Sequence, residues 1–65
     1  MTELDIWRSA NILLKRYKGE AVFIAAKRAD ALLDQGDVPG RAEWIRIAKA
    51  IIDLERKAAR GEAVH

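Results

Sequence analysis

The segment from Arg41 to Arg60 restricts the fold more than any other part of the chain, because it is the longest uninterrupted helical pattern in the sequence. Its apolar residues recur every three or four positions, which places them on one stripe of a helix, and flanking apolar residues widen the stripe to about half the circumference. One neighbouring helix does not usually cover so broad a face, so we expect at least two partners. The stripe contains Trp44, Ile47, Ala48, Ile51, Leu54 and Ala58, flanked by Ile45, Ile52 and Ala59.

Two further helices are predicted upstream of this segment. Thr2 and Asp5 resemble a capping box, so the first helix should start near residue 3, and Gly19 should end it as a C-terminal cap. Gly36 should end the second helix at positive φ, which glycine adopts without a steric penalty. The predicted helices cover about residues 3–18, 20–35 and 38–60.

The connection before the third helix has the composition of a helix start. Asp37 is the predicted N-cap and Pro39 lies in the first turn, where its missing N–H needs no partner. Gly40→Ala should be mild or favourable, since alanine is the better helix former. Connections this short turn successive helices back on one another. We therefore predict an all-α, three-helix unit over residues 1–61 with a frayed tail at 62–65, and a core of Trp7, Leu14, Val22, Ala29, Leu33, Trp44, Ile51 and Leu54, with Tyr17 at its edge.

The chain has few means of stabilising so small a core. A domain of 65 residues buries only about 60% of its unfolded surface. It has no cysteine and one histidine, which excludes disulfides and makes a structural zinc site very unlikely. Oligomerisation and unusually good helix packing are the remaining means of stabilisation, and we expect a homodimeric helical bundle.

Several large apolar residues lie off the predicted stripes and indicate where a second copy would bind. Phe23 and Ile24 lie opposite the alanine-rich side of the second helix, where a single three-helix unit would leave them in water. We predict a protein interface formed by Phe23, Ile24, Ile45, Ile52 and Ile12. In an alternative arrangement, the first helix tilts to cover the third, and only Phe23 and Ile24 remain for a different protein partner.

The charge pattern leaves a second, weaker functional alternative. Twelve basic residues are nearly matched by ten acidic ones, so the formal net charge is only +2. The first helix is the most basic element and could contact a phosphate backbone in a weak nucleic-acid-associated regulator. The broadly apolar third helix does not resemble a polar recognition helix, so we regard nucleic acid as the less favoured partner. The basic residues in question are Arg8, Lys15, Arg16 and Lys18.

The sequence offers no arrangement of residues typical of catalysis or cofactor binding. Asp30, Asp34 and Asp37 could hold a divalent cation, but they lack the spacing of a calcium loop and are explained by a solvated helix face and a cap. His65 occupies the final position, where nothing would orient its ring. Ser9 has no motif or histidine partner for nucleophilic catalysis. We therefore expect no enzyme activity, cofactor or metal.

The expected location is the cytoplasm, without membrane association. No apolar run approaches the roughly 18 to 20 residues needed to cross a bilayer, and the N-terminus is acidic where a signal peptide would be basic.

A longer motif resembles a family of short bacterial proteins of unknown function. It combines Trp7-x-x-Ala10, Ala29-x-x-x-Leu33-x-x-Gly36-Asp37-x-x-Gly40 and Trp44-x-x-Ile47, and it spans about three quarters of the chain. Gly-Asp between alanine-rich helices also occurs in helical-repeat hairpins. The resemblance implies a bacterial source but no activity or site residues. The sequence thus predicts a non-enzymatic protein–protein interaction module, an adaptor or regulator that acts as a homodimer.

Overall fold

The computed structural model describes residues 2–61, and every regular element in that range is helical. Helix α1 covers Glu3–Tyr17, a 3₁₀ turn covers Lys18–Glu20, α2 covers Ala21–Asp34 and α3 covers Val38–Ala59. The all-α prediction is confirmed, and the predicted helix bounds agree with the structure to within one residue. The predicted frayed tail, which includes His65, lies outside the described residues.

The arrangement of the helices differs from the predicted three-helix unit. The 3₁₀ turn joins α1 to α2 without an intervening loop, so the two form one long bent helix. Helix α3 packs against both, most extensively against α2, whereas α1 and α2 contact each other least. The described chain therefore contains two long helical arms and not clearly three helices. The prediction assumed a chain reversal at Gly19, but the positive φ of 51° is at Lys18, and the backbone remains helical beyond it.

The start of α1 is held by the predicted capping box. The backbone N–H of Asp5 donates to Thr2 Oγ1 at 3.2 Å, and the N–H of Thr2 donates to Asp5 Oδ2 at 3.3 Å. The side-chain hydrogen bond from Thr2 is the main reason that the pKa of Asp5 lies below its ordinary value of 3.8. Because a hydrogen-bonded carboxylate is favoured in the folded state, the cap is intact at neutral pH and weakens as the pH falls through the lowered pKa.

The turn between α2 and α3 is closed by two successive caps. Gly36 has a φ of 77°, as predicted, and the N–H of Asp37 donates to the carbonyl of Leu32 at 2.9 Å in a Schellman motif. Asp37 then caps α3 by accepting from the N–H of Gly40 at 3.0 Å. The Gly40→Ala change, expected to be tolerated, would place its Cβ 2.8 Å from Asp37 Cγ, so the capping carboxyl group would have to shift.

The core is built largely from small side chains. Five of its nine buried residues are alanine, and only Ile47 and Ile51 are large side chains buried completely. Helix α2 contributes Ala21, Ala25 and Ala29, which let α3 approach closely. The core prediction is correct for Ala29, Ile51 and Leu54 and wrong for Leu33, which is 48% exposed. Trp7, Leu14, Val22 and Trp44 are half-buried against the core, and Tyr17 lies at its exposed edge.

Candidate interaction surfaces

The described surface carries seven exposed large apolar side chains. The core buries four large side chains besides its alanines, and five more are half-buried against it. Monomeric proteins tolerate scattered apolar residues on their surface, but seven on so short a chain favour a binding function for some of them. The exposed residues are Leu4, Ile12, Tyr17, Phe23, Leu33, Val38 and Ile52.

The five residues predicted to form one interface lie in different surroundings. Phe23 and Ile12 are 62% and 61% exposed, and Ile52 is 41% exposed. Ile24 and Ile45 are half-buried. Ile24 lines a groove that contains neither Ile45 nor Ile52, so the chain divides the predicted interface between at least two surfaces. The sequence could not reveal this division, because it depends on how the helices pack against one another.

The groove that contains Ile24 lies where all three α-helices meet. It has a volume of about 450 Å³, and Trp44 of α3 forms part of its wall. The guanidinium of Arg28 lies over the Trp44 ring, 5.7 Å from its centroid, so a cation already covers the aromatic surface. The groove was not expected from sequence. Its lining residues are Leu13, Tyr17, Ile24, Lys27, Arg28, Ala31 and Trp44.

A second cavity separates the start of α1 from the middle of α3. It has a volume of about 340 Å³ and is lined by acidic and basic side chains around Ile6, Trp7 and Ala50. The Lys57 ammonium lies 5.7 Å from the Trp7 ring centroid. Because charges of both signs line this cavity, its charge favours neither an anionic nor a cationic ligand. The charged lining residues are Glu3, Arg46, Lys49 and Asp53.

A third surface follows the edge of α3 that carries Ile45 and Ile52. Every member of this edge is three or four positions from the next, the spacing of a coiled-coil seam. The seam runs beside the buried stripe of Ile47, Ile51 and Leu54. We call it the α3 seam; it consists of Arg41, Ile45, Ala48, Ile52, Glu55 and Ala59.

Helix α2 also carries an apolar flank, formed by Val22, Ala26 and Leu33. At about 100° per residue, Val22, Ala26 and Leu33 lie roughly 160 to 180° around the helix from Ile24, on the side away from the groove. Leu33 and Ala26 are exposed and Val22 is half-buried. The exposure of Leu33, which the core prediction missed, is explained by its place on this flank.

Phe23 lies neither on the α3 seam nor on the apolar flank of α2. Its ring is approached by the Lys27 ammonium one turn later on the same helix, 5.5 Å from the ring centroid. Such a contact partly covers the ring without burying it.

The basic residues of α1 are accessible to solvent. Arg8, Lys15, Arg16 and the adjoining Lys18 are all exposed, and no acidic residue follows Asp5 within α1. Arg8, Lys15 and Arg16 fall within about 100° of one another around the helix. The face is compatible with contacts to phosphate, but it offers no groove or aromatic platform to read a base.

The residues considered for metal binding do not converge in the described chain. Asp30, Asp34 and Asp37 are exposed, and Asp37 is used as the α3 cap. No group of three or more potential metal ligands occurs among residues 2–61. Over the same residues, no helix combines the length and hydropathy that a membrane span requires.

Comparisons with protein-family models, curated proteins and solved structures return no match to this chain. The resemblance to short bacterial proteins of unknown function therefore stays a prediction, and the surfaces themselves supply the grounds for a function.

Proposed function

We propose that this chain is a small α-helical protein–protein interaction module, an adaptor or regulator, that associates with a second copy of itself. The observation that supports the proposal most directly is the distribution of large apolar side chains, with seven exposed, four buried in the core and five half-buried against it. A core made mostly of alanine buries little area per residue, so a single copy gains little hydrophobic stabilisation. A second copy would cover part of the exposed area and add to that stabilisation.

A homodimer is the simplest assembly for this surface. Two-fold symmetry requires one self-complementary patch, whereas a different partner requires a second matched surface. The predicted interface residues Ile45 and Ile52 belong to the α3 seam, and the α2 flank of Val22, Ala26 and Leu33 extends the apolar area on the neighbouring helix. Ile12, Phe23 and Ile24 then remain for other contacts.

Sedimentation velocity over a concentration series up to about 100 µM tests the homodimer. We expect the mass to move from one copy towards two over the micromolar range, which is typical of interfaces of modest area. A mass of one copy at the highest concentration would overturn the homodimer and leave binding to a different protein.

The alternative function, weak association with nucleic acid, depends on the exposed basic face of α1. Binding of this kind weakens steeply with salt, because it releases counterions from the phosphate backbone. A gel-shift experiment at low and moderate salt tests it. A salt-sensitive shift that is lost in Lys15→Glu with Arg16→Glu supports the alternative, and no shift at low salt removes it.

A further inference from the structure

We infer that two copies bind through their α3 seams in an antiparallel arrangement, with the two-fold axis beside Ala48. This inference rests on the proposed function, because it specifies the geometry of the proposed homodimer. It is drawn from the order of residues along the seam, from the opposite charges at its two ends and from the apolar flank of α2.

The order of residues makes the seam self-complementary. Arg41 and Glu55 each lie seven positions from Ala48, in opposite directions, and Ile45 and Ile52 lie three and four positions from it. An antiparallel copy centred on Ala48 therefore brings Arg41 opposite Glu55 and Ile45 within one position of Ile52, and each pair occurs twice. The small side chain at the axis lets the two helices approach closely.

The charged ends of the seam lie too far apart to pair with each other within one copy. The Nε atom of Arg41 is buried and has no hydrogen-bond partner among the described residues. No solvent reaches this Nε atom, so any contact with a second copy must use the terminal Nη atoms of the half-buried Arg41 side chain. Glu55 cannot pair with Arg41 within the same copy, because it lies about 21 Å further along α3 at 1.5 Å per residue. In the antiparallel pair, the Glu55 carboxylate of one copy reaches the Arg41 guanidinium of the other and can accept hydrogen bonds from its Nη atoms.

The available area matches a weak but specific dimer when α2 contributes. Helices α2 and α3 have 14 and 22 residues. At about 1.5 Å per residue and about 10 Å of width, their exposed sides offer roughly 500 Å² per copy. The total of roughly 1,000 Å² reaches the lower limit for a specific interface. A dimer that used α3 alone would fall below it, so the flank of Val22, Ala26 and Leu33 must contribute.

Charge reversal at Arg41 and Glu55 tests the arrangement by sedimentation. We expect Arg41→Glu or Glu55→Arg alone to weaken the dimer about tenfold or more, because each change places like charges opposite each other. The double reversal restores opposite charges and should return the dissociation constant to within about threefold of the original. Arg46→Glu and Asp53→Arg, which lie off the seam, are the matched controls and should leave dimerisation unchanged.

Each outcome of this experiment has a defined meaning. An acid at position 41 lies near the N-terminus of α3, where the helix dipole favours it, so the reversal should not weaken the helix itself. Circular dichroism of each variant checks this point. If neither single reversal weakens the dimer, or if the double-reversal variant dimerises as weakly as the single variants, then the α3 seam is not the interface, although the homodimer itself stands. If the parent chain stays monomeric, both the homodimer and the α3 seam are wrong.

Single cysteines give a second test that does not depend on charge. The chain has no native cysteine, so one introduced thiol reports its own position. Ala48→Cys lies at the proposed axis and should crosslink to its counterpart with a short thiol-specific reagent. Ala59→Cys, also on the seam, lies 11 residues from the axis and should not. Equal crosslinking at both positions would indicate a parallel pair, and failure at position 48 with efficient crosslinking at 59 would exclude this axis.

Discussion

Lys18 is the residue that decides how the two parts of the bent helix meet. Its φ of 51° and ψ of −122° lie in a region that favours glycine, and the glycine of this turn stands one position later. A lysine there has a steric cost that Gly19 does not relieve. The bend therefore departs from the pattern that local propensity predicts.

Lys18→Gly should stabilise the fold by about 1 kcal/mol, because glycine adopts this backbone conformation without the steric cost. Gly19→Ala is the matched neighbouring change. No atom lies within 4 Å of an added Cβ at position 19, and its φ is not positive, so this change should be neutral or slightly favourable. Urea unfolding of both variants measures the difference. If Gly19→Ala is costly and Lys18→Gly is not beneficial, then the glycine holds the turn as the sequence alone suggested.

At the scale of elements, the hairpin between α2 and α3 is set by two residues with different tasks. Gly36 supplies the left-handed backbone that ends α2, and Asp37 supplies the carboxylate that begins α3. Helix propensity describes neither task. Gly36 acts through its backbone geometry, and Asp37 acts through a side-chain cap that reaches the N–H three residues further on.

Substitutions at Gly36 and Gly40 should both destabilise the hairpin, for different reasons. Gly36→Val should cost about 1 kcal/mol or more, because a β-branched residue is strained at positive φ.

Gly40→Ala should cost about 0.5 to 2 kcal/mol, because the added methyl displaces the Asp37 cap, and this loss exceeds the gain in helix propensity. Asp37→Ala with Gly40→Ala is the control, since without the cap the alanine at 40 should become harmless. A stabilising Gly40→Ala in thermal unfolding would contradict this account of the cap.

At the scale of the whole molecule, local signals predicted the helices but not how they pack. The bounds of the helices follow from Thr2, Gly36 and Asp37, whose effects reach only a few residues along the chain. The groove beside Trp44 depends on the bend at Lys18, because residues from both parts of the bent helix line it together with α3. A helical wheel has no information on that angle. Three of the predicted interface residues, Ile12, Phe23 and Ile52, are exposed, but the division of the five residues between surfaces could not be predicted.

The close approach of α2 and α3 is the packing feature on which the small core depends most, and Ala25 lies within it. Its side chain is fully buried on the alanine face of α2, the helix with the most extensive contact to α3. A leucine there adds three heavy atoms where no space is available, so the helices must separate or side chains must leave their preferred rotamers.

Ala25→Leu should therefore destabilise the chain by about 1 to 3 kcal/mol, the usual cost of overpacking, although leucine is a good helix former. Ala31→Leu is the matched control, because Ala31 is exposed and lines the open groove, where a larger side chain has room. It should change the free energy of unfolding by no more than about 0.5 kcal/mol. Both variants should be unfolded in urea at one protein concentration, so that any self-association contributes equally. Equal effects at the two positions would mean that α3 does not pack closely against the alanine face, and that other contacts hold the two arms together.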